Sequence, residues 1–231
     1  MKQAAACLVT CQADRDYLLK NDLASRTYVV PNVVAMNGWG GQDYSREVLP
    51  VILFCGQLSY PPNEEGVIFF CKKVLPRIRE VRPDVQLMVV GQNPTQKVLE
   101  LGHSPGVLVK GSVPSTEPFY RQAVLTVVPL LHGGGTRIKI LEAMILHTPV
   151  VSTSIGCEGL EVVDGEHLLI ADDPEVFAQR CLQLLENPHA RATLARNAYR
   201  LVKDRYDIEV LYQRMDACLS AILGQDVSVA S

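Results

Sequence analysis

Residues 127–160 read VVPLLHGGGTRIKILEAMILHTPVVSTSIGCEGL, and the fold turns on them. The order is apolar strand, glycine loop, helix, apolar strand, loop. Gly133, Gly134 and Gly135 stand just past the carboxyl end of the first strand, where open α/β sheets bind their ligands. Glycine lets a backbone approach a ligand closely and take positive φ. Thr136, Arg137 and Ile138 are expected to form the first turn of the helix, whose unbonded N–H groups attract an anion; a diphosphate suits such a cradle. At 100° per residue, Ile138, Leu141, Met144 and Ile145 share an apolar face. Lys139 and Glu142, three apart, are neighbours at its edge. A carboxylate there can accept two hydrogen bonds from a ribose diol, or the two residues can be an ordinary surface pair. Neither GK followed by Ser or Thr nor GxGxxG occurs.

Working outward, VILFC (51–55) is a continuous apolar run ending at Gly56. After a loop with two prolines, Asn63 is expected to cap a helix running to about Val81. VQLMVVG (85–91), GVLVKG (106–111), LTVVPL (125–130) and TPVVST (148–153) are further short strands separated by helical patterns. Buried strands alternating with helices predict an α/β fold, a Rossmann-like parallel sheet with helices on both faces. Two more loops fall on the same sheet edge. In GSVPSTEPFY (111–120), Gly111 and the backbone of Ser112 and Val113 can meet a nucleobase edge; in STSIGCEGL (152–160), small residues leave room for a sugar. Each loop alone reads as a plain connection, and their convergence is what favours a site. Beyond about Asp172 the pattern is helical, with a boundary at Pro188 and a cap expected at Asp207.

The flanks differ in texture. Residues 1–34 read as a strand (Ala4 to Thr10), a helix (Asp14 to Lys20) and an extended TYVVPNVV. The stretch 35–49 is rich in Gly, Asn and Asp, which marks a linker, and 225–231 reads as a tail. Across 231 residues, 22 Lys+Arg face 25 Asp+Glu, a net charge of −3 that argues against a nucleic-acid partner. The seven cysteines are odd in number and have no CxxC spacing. They read as small core residues of a reduced, cytoplasmic protein rather than as disulfides or metal ligands. No stretch approaches the ~20 apolar residues of a membrane span.

Residues 133–160 closely resemble the donor-site signature of the family 4 retaining glycosyltransferases, and FCGQLSYPPNEEGVIFFCKKVLPRIREVRPDVQLMVVG (54–91) resembles the first βαβ unit of their C-terminal domain. The similarity runs from roughly Pro50 to Ala221. It implies the C-terminal half of a two-domain GT-B fold, with 50–224 binding a nucleotide-diphosphate sugar as donor substrate and no cofactor or metal. By that resemblance Gly133, Gly134, Gly135, Thr136, Arg137, Ile138 and Lys139 would hold the diphosphate, Glu142 the ribose, Gly111, Ser112 and Val113 the base, and Gly56 with Gln57 the donor loop. No catalytic residue is assigned. Gly134 stands where many members carry a glutamate touching the donor sugar. Gln57 stands where many carry a phosphate-gripping Arg, and the Lys that often follows is missing, which leaves Arg137 or Lys139 as the phosphate cation.

Residues 1–34 resemble only the end of the family's N-terminal acceptor domain. The expected function is hexose transfer to a glycan or lipid-linked acceptor. The alternatives are a nucleotide-sugar-binding module or truncated relic served by a separate acceptor-domain protein, and an epimerase of the same architecture, which the TRIKILEAM helix disfavours. Any peripheral membrane association would come through the acceptor domain.

Overall fold

The computed structural model describes residues 6–21, 26–34, 50–133 and 137–223. The expected linker at 35–49 and the tail at 225–231 lie outside them. Near the N-terminus, β1 (Cys7–Val9) pairs in parallel with β2 (Thr27–Val29), and α1 (Gln12–Lys20) lies between them in sequence. The body is built on β3 (Val51–Cys55), β4 (Gln86–Val90), β5 (Val107–Gly111), β6 (Leu125–Val128), β7 (Val150–Ser152) and β8 (Leu169–Ile170). All are parallel, in the order β5-β4-β3-β6-β7-β8. Counted from β3, this is the doubly wound order, in which the chain first moves outward to one side and then crosses back. The crossing leaves a crevice between the carboxyl ends of β3 and β6.

Side-chain alternation explains why the sheet is covered twice. Ile52 and Phe54 of β3, Leu87 and Val89 of β4, and Leu125 and Val127 of β6 enter one apolar cluster. Leu53, Cys55, Val90 and Val128 enter the other. The first cluster packs against α2 (Pro61–Phe69), α3 (Leu75–Val81) and α7 (Pro174–Glu186), with Phe70 edge-on to Phe177 at 5.8 Å between ring centres. On the opposite face lie α5 (Glu117–Gln122), α6 (Ile138–Ile145) and α8 (Pro188–Arg205). A short α4 (Gln96–Glu100) follows β4, and α9 (Ile208–Leu223) ends the described chain. Asp173 caps α7, Asn187 caps α8 just before Pro188, and the Asp207 carboxylate accepts the Ile208 N–H at 2.7 Å. Among the described residues no helix is long and apolar enough to cross a membrane.

Four local expectations need correction. Asn63 does not cap its helix: α2 begins at Pro61 with Tyr60 in the cap position. Two prolines with preset φ and no N–H to satisfy start the helix earlier. The helical stretch reaches Val81, but through a π turn at Phe70–Val74, where the Leu75 N–H bonds back to Phe70. Pro76 has no N–H to continue the ordinary ladder. At the other helix, α6 starts at Ile138, so Arg137 precedes it with non-helical ψ of 56°, and Ile138 is exposed while Ile140 and Ala143 fill the core face. The first residue of a helix that starts at the sheet's rim projects beyond the core. Finally, β8 has no counterpart in the sequence pattern, because only two residues pair with β7.

The sheet's carboxyl edge is packed backbone on backbone. The Gly56 N–H bonds to Val90 O at 3.1 Å and the Gly91 N–H to Gly111 O at 2.9 Å. A Cβ on Gly91 would lie 1.6 Å from Gly56 O, whereas one on Gly102 would meet only Val109 Cγ2 at 3.7 Å. Gly91→Ala is therefore expected to cost at least about 1–3 kcal/mol. Gly102→Ala should be neutral or stabilising by about 0.4–1 kcal/mol through the unfolded chain. Urea midpoints at constant m-value separate the two.

Candidate functional site

At the crevice, the carboxyl end of β3 meets the start of α6. The Asn63 side chain joins them: its Nδ2 donates to Gln57 O at 2.8 Å, and its Oδ1 accepts from Lys139 Nζ at 2.6 Å. The Lys139 ammonium also stands 5.3 Å from the centre of the Phe54 ring. Space beneath this bridge is tight: a Cβ on Gly56 would lie 2.7 Å from Lys139 Nζ and 2.9 Å from Asn63 Nδ2, so the bridge would have to shift. Loss of solvent pushes the Lys139 pKa down to about 8, with Cys55 and Glu142 opposing and Arg137 adding to the fall. Glu142, a helical turn along, is partly buried; desolvation raises its pKa, and the Tyr120 hydroxyl and Lys139 offset part of the rise. No ion pair joins Lys139 to Glu142, so they are not a surface salt bridge. Tyr120, 1% exposed, donates its hydroxyl to Lys139 O at 3.2 Å. Cys55 beside it is pushed up to about 11 by burial.

The glycine loop leaves from the adjoining strand. Gly133 has φ of +111° and packs on the start of α2, where an added Cβ would meet Pro62 Cγ at 3.0 Å. Gly134, Gly135 and Thr136 lie outside the described residues. Arg137 is 5% exposed, and its Nη2 donates to Gly133 O at 2.7 Å and to Ile155 O at 2.8 Å. It thus clasps the glycine loop to the turn after β7. Thr153 and Ser152 reinforce the same seam, their hydroxyls donating to Leu130 O at 2.6 Å and Val128 O at 3.2 Å. The small residues of that turn are occupied in packing, as Gly156 shows: a Cβ there would lie 2.3 Å from Val128 O. On the opposite rim, His132 Nε2 meets Glu65 Oε2 at 2.8 Å, both half-exposed.

Gly56, Gln57, Lys139 and Glu142 therefore converge on the crevice, with Gly133 and Arg137 alongside. Gly111, at φ +67°, with Ser112 and Val113 lies at the end of β5, two strands away on the same edge. Among the described residues no hydrogen bond engages the Ser112 or Val113 amides. The sequence reading missed Asn63 as the partner of Lys139, Tyr120 as the prop beneath α6, and the hydroxyls of Ser152 and Thr153. Only Asn63, read from the sequence as a helix cap, carried a signal.

The family model for glycosyl transferases group 1 matches residues 49–187. The chain belongs to that family. This group 1 glycosyltransferase chain is 30% identical over 169 residues to an uncharacterized 44.6 kDa protein in the cps region of Klebsiella pneumoniae, covering 70% of this chain and 44% of that protein. It is 28% identical over 191 residues to the phosphatidyl-myo-inositol mannosyltransferase of Mycobacterium leprae, covering 78% and 49%. Among solved structures, HepE of Anabaena in complex with UDP superposes with a TM-score of 0.77 at 18% identity, over 94% of this chain and 64% of that one. The fold is the Rossmann-like half of the GT-B architecture, and the chain spans about half the length of the curated relatives it matches.

Two substitutions separate clasp from charge. Arg137→Met removes two charge-assisted bonds and leaves two carbonyls unmet, an expected loss of about 1.5–3 kcal/mol in chemical denaturation. For Lys139 the readout is pH. Its pKa is near 8 in the folded chain, against 10.5 for a lysine in water. The unfolded chain therefore binds more protons between those values, and stability rises with pH across that window. The stability difference between wild type and Lys139→Met should accordingly shift in favour of wild type from pH 8 to 10. A pH-independent difference would show that the ammonium is not desolvated.

Proposed function

We propose that residues 50–224 are the donor-binding half of a glycosyltransferase that moves a hexose from a nucleotide-diphosphate sugar to a glycan or lipid-linked acceptor, with no cofactor or metal. The carrying observation is the desolvated Lys139 ammonium at the β3/β6 crevice, a turn from a partly buried carboxylate on the same helix. A desolvated, partly buried cation with a single neutral side-chain partner is costly unless an anion completes it. In this reading the diphosphate takes that place, drawing Lys139 from Asn63, with the glycine loop at 133–135 and the start of α6 as its cradle. Glu142 accepts the ribose hydroxyls, and the open amides of Ser112 and Val113 take the base edge. Gly56 and Gln57 form the floor.

Two likenesses support the chemistry. HepE, similar in fold, is seen in complex with UDP, and a relative is a mannosyltransferase. Residues 1–34 belong in this reading to an acceptor domain, completed by further chain or by a separate protein, in the cytoplasm and touching a membrane only through that domain. Both walls are needed for transfer, because catalysis depends on closure around the donor.

Calorimetry with UDP, GDP and ADP tests the donor site directly. One of the three should bind, and Glu142→Ala should weaken it by about 1.5–3 kcal/mol, the range for hydrogen bonds to a charged group. An anion beside Lys139 raises its pKa again, so binding at pH 8–9 should take up protons and weaken as pH rises further. Parallel titrations in buffers of different ionisation enthalpy reveal the uptake, and Lys139→Met should abolish it. Failure of all three nucleotides to bind would refute the proposal.

A further inference from the structure

A cavity of about 260 Å³ lies on the other side of the turn that Arg137 clasps, between the N-terminal unit and the body. Its walls include Thr10, Gln12, Gly159, Glu161, Tyr206 and Arg214. That is several times the ~30 Å³ share of one water molecule, and just below the usual range for small-ligand clefts. It suits one charged group with a short stem rather than a nucleotide.

Two of the polar groups there are donors. Tyr206 is 2% exposed and its hydroxyl accepts the Glu161 N–H at 2.7 Å. Among the described residues no acceptor takes the Tyr206 hydroxyl proton, which leaves a donor in the cavity. Burial raises the Tyr206 pKa and the Glu161 carboxylate adds to the rise, while the Glu161 N–H, Arg214 and Arg205 pull it the other way. The Arg214 guanidinium itself makes no hydrogen bond or ion pair among the described residues. The one carboxylate in the wall, Glu161, stands 3.8 Å from Arg205, which offsets its charge. A buried hydroxyl donor beside an uncommitted guanidinium is the donor set that oxyanions select.

We propose that this cavity is an oxyanion subsite in which Arg214 and Tyr206 hold a phosphate or carboxylate. The nearby turn at Ile155–Cys157 separates it from the donor crevice, so the anion belongs to the acceptor. That last step rests on the donor-half reading; the subsite does not. Phosphate and carboxylate share the chemistry, and the two probes below tell them apart.

The test is calorimetric titration of inorganic phosphate, and separately acetate, into the whole chain with UDP present in excess, so that the donor crevice is filled. Wild type should bind one of the two anions. Arg214→Gln should weaken that binding at least tenfold, and Arg214→Lys should recover most of it. Arg214→Gln should leave the UDP affinity unchanged. If neither anion binds wild type, or Arg214→Gln binds as tightly as wild type, the subsite is refuted. Should UDP itself fail to bind, the donor reading falls, while the dependence of phosphate or acetate binding on Arg214 still decides the subsite.

Discussion

Every residue of β3 is buried, with Ile52 and Phe54 on one face and Leu53 and Cys55 on the other. A strand enclosed in this way can offer a ligand only its end. Because the chain leaves β3 toward β4 and later returns to β6 on the opposite side, the connections diverge at that end and leave a gap. On the β4 side of that end Gly56 and Gly91 meet at backbone distance, and facing the gap Gly56 lies under the Lys139–Asn63 bridge, so a side chain on either glycine would displace its neighbour. Site geometry and core packing are therefore one problem, solved by small residues where the strands stop.

The electrostatics of the crevice follow from the same enclosure. Two cations enter it from one segment, and the fold treats them differently. Arg137, just ahead of α6, turns its guanidinium into the carbonyls of Gly133 and Ile155. There its role is structural, tying the loop after β6 to the turn after β7. Lys139, on the first turn of α6, has a single neutral amide oxygen and an aromatic ring for company, and its pKa falls as a result. Stability alone would favour an apolar residue at such a place. Retaining an ammonium there makes physical sense when an anion is to be bound, since the desolvation has then been met before the ligand arrives. Residues so perturbed cluster at functional sites.

The architecture was legible in the sequence because its signals are long and redundant. VILFC, VQLMVV and LTVV are apolar runs of strand length, each followed by a helical period, and parallel pairing follows from that alternation. The two-residue pairing of β8 left too short a trace to find. At the site, residue types were legible and their partners were not. Glycines at strand ends and a Lys/Glu pair on α6 mark the edge, whereas the Asn63–Lys139 contact spans 76 positions and depends on where two prolines start α2. The same limit applies to Arg137: its neighbours in sequence suggest a phosphate ligand, and only the fold brings Ile155 O within reach.

The N-terminal unit shows how far one joint can organise the rest. A two-stranded parallel sheet has little stability of its own, and β1–β2 with α1 is anchored to the body at two points. Val34 pairs with Asp207, through its N–H to Tyr206 O at 3.0 Å, and Cys11 packs against Gly159. Both anchors border the cavity that Tyr206 and Arg214 line. Asp207 also starts α9, the helix that carries Arg214. The cavity therefore sits at the joint between the N-terminal unit and the body, while the Arg137 clasp ties the loops of the crevice through Ile155.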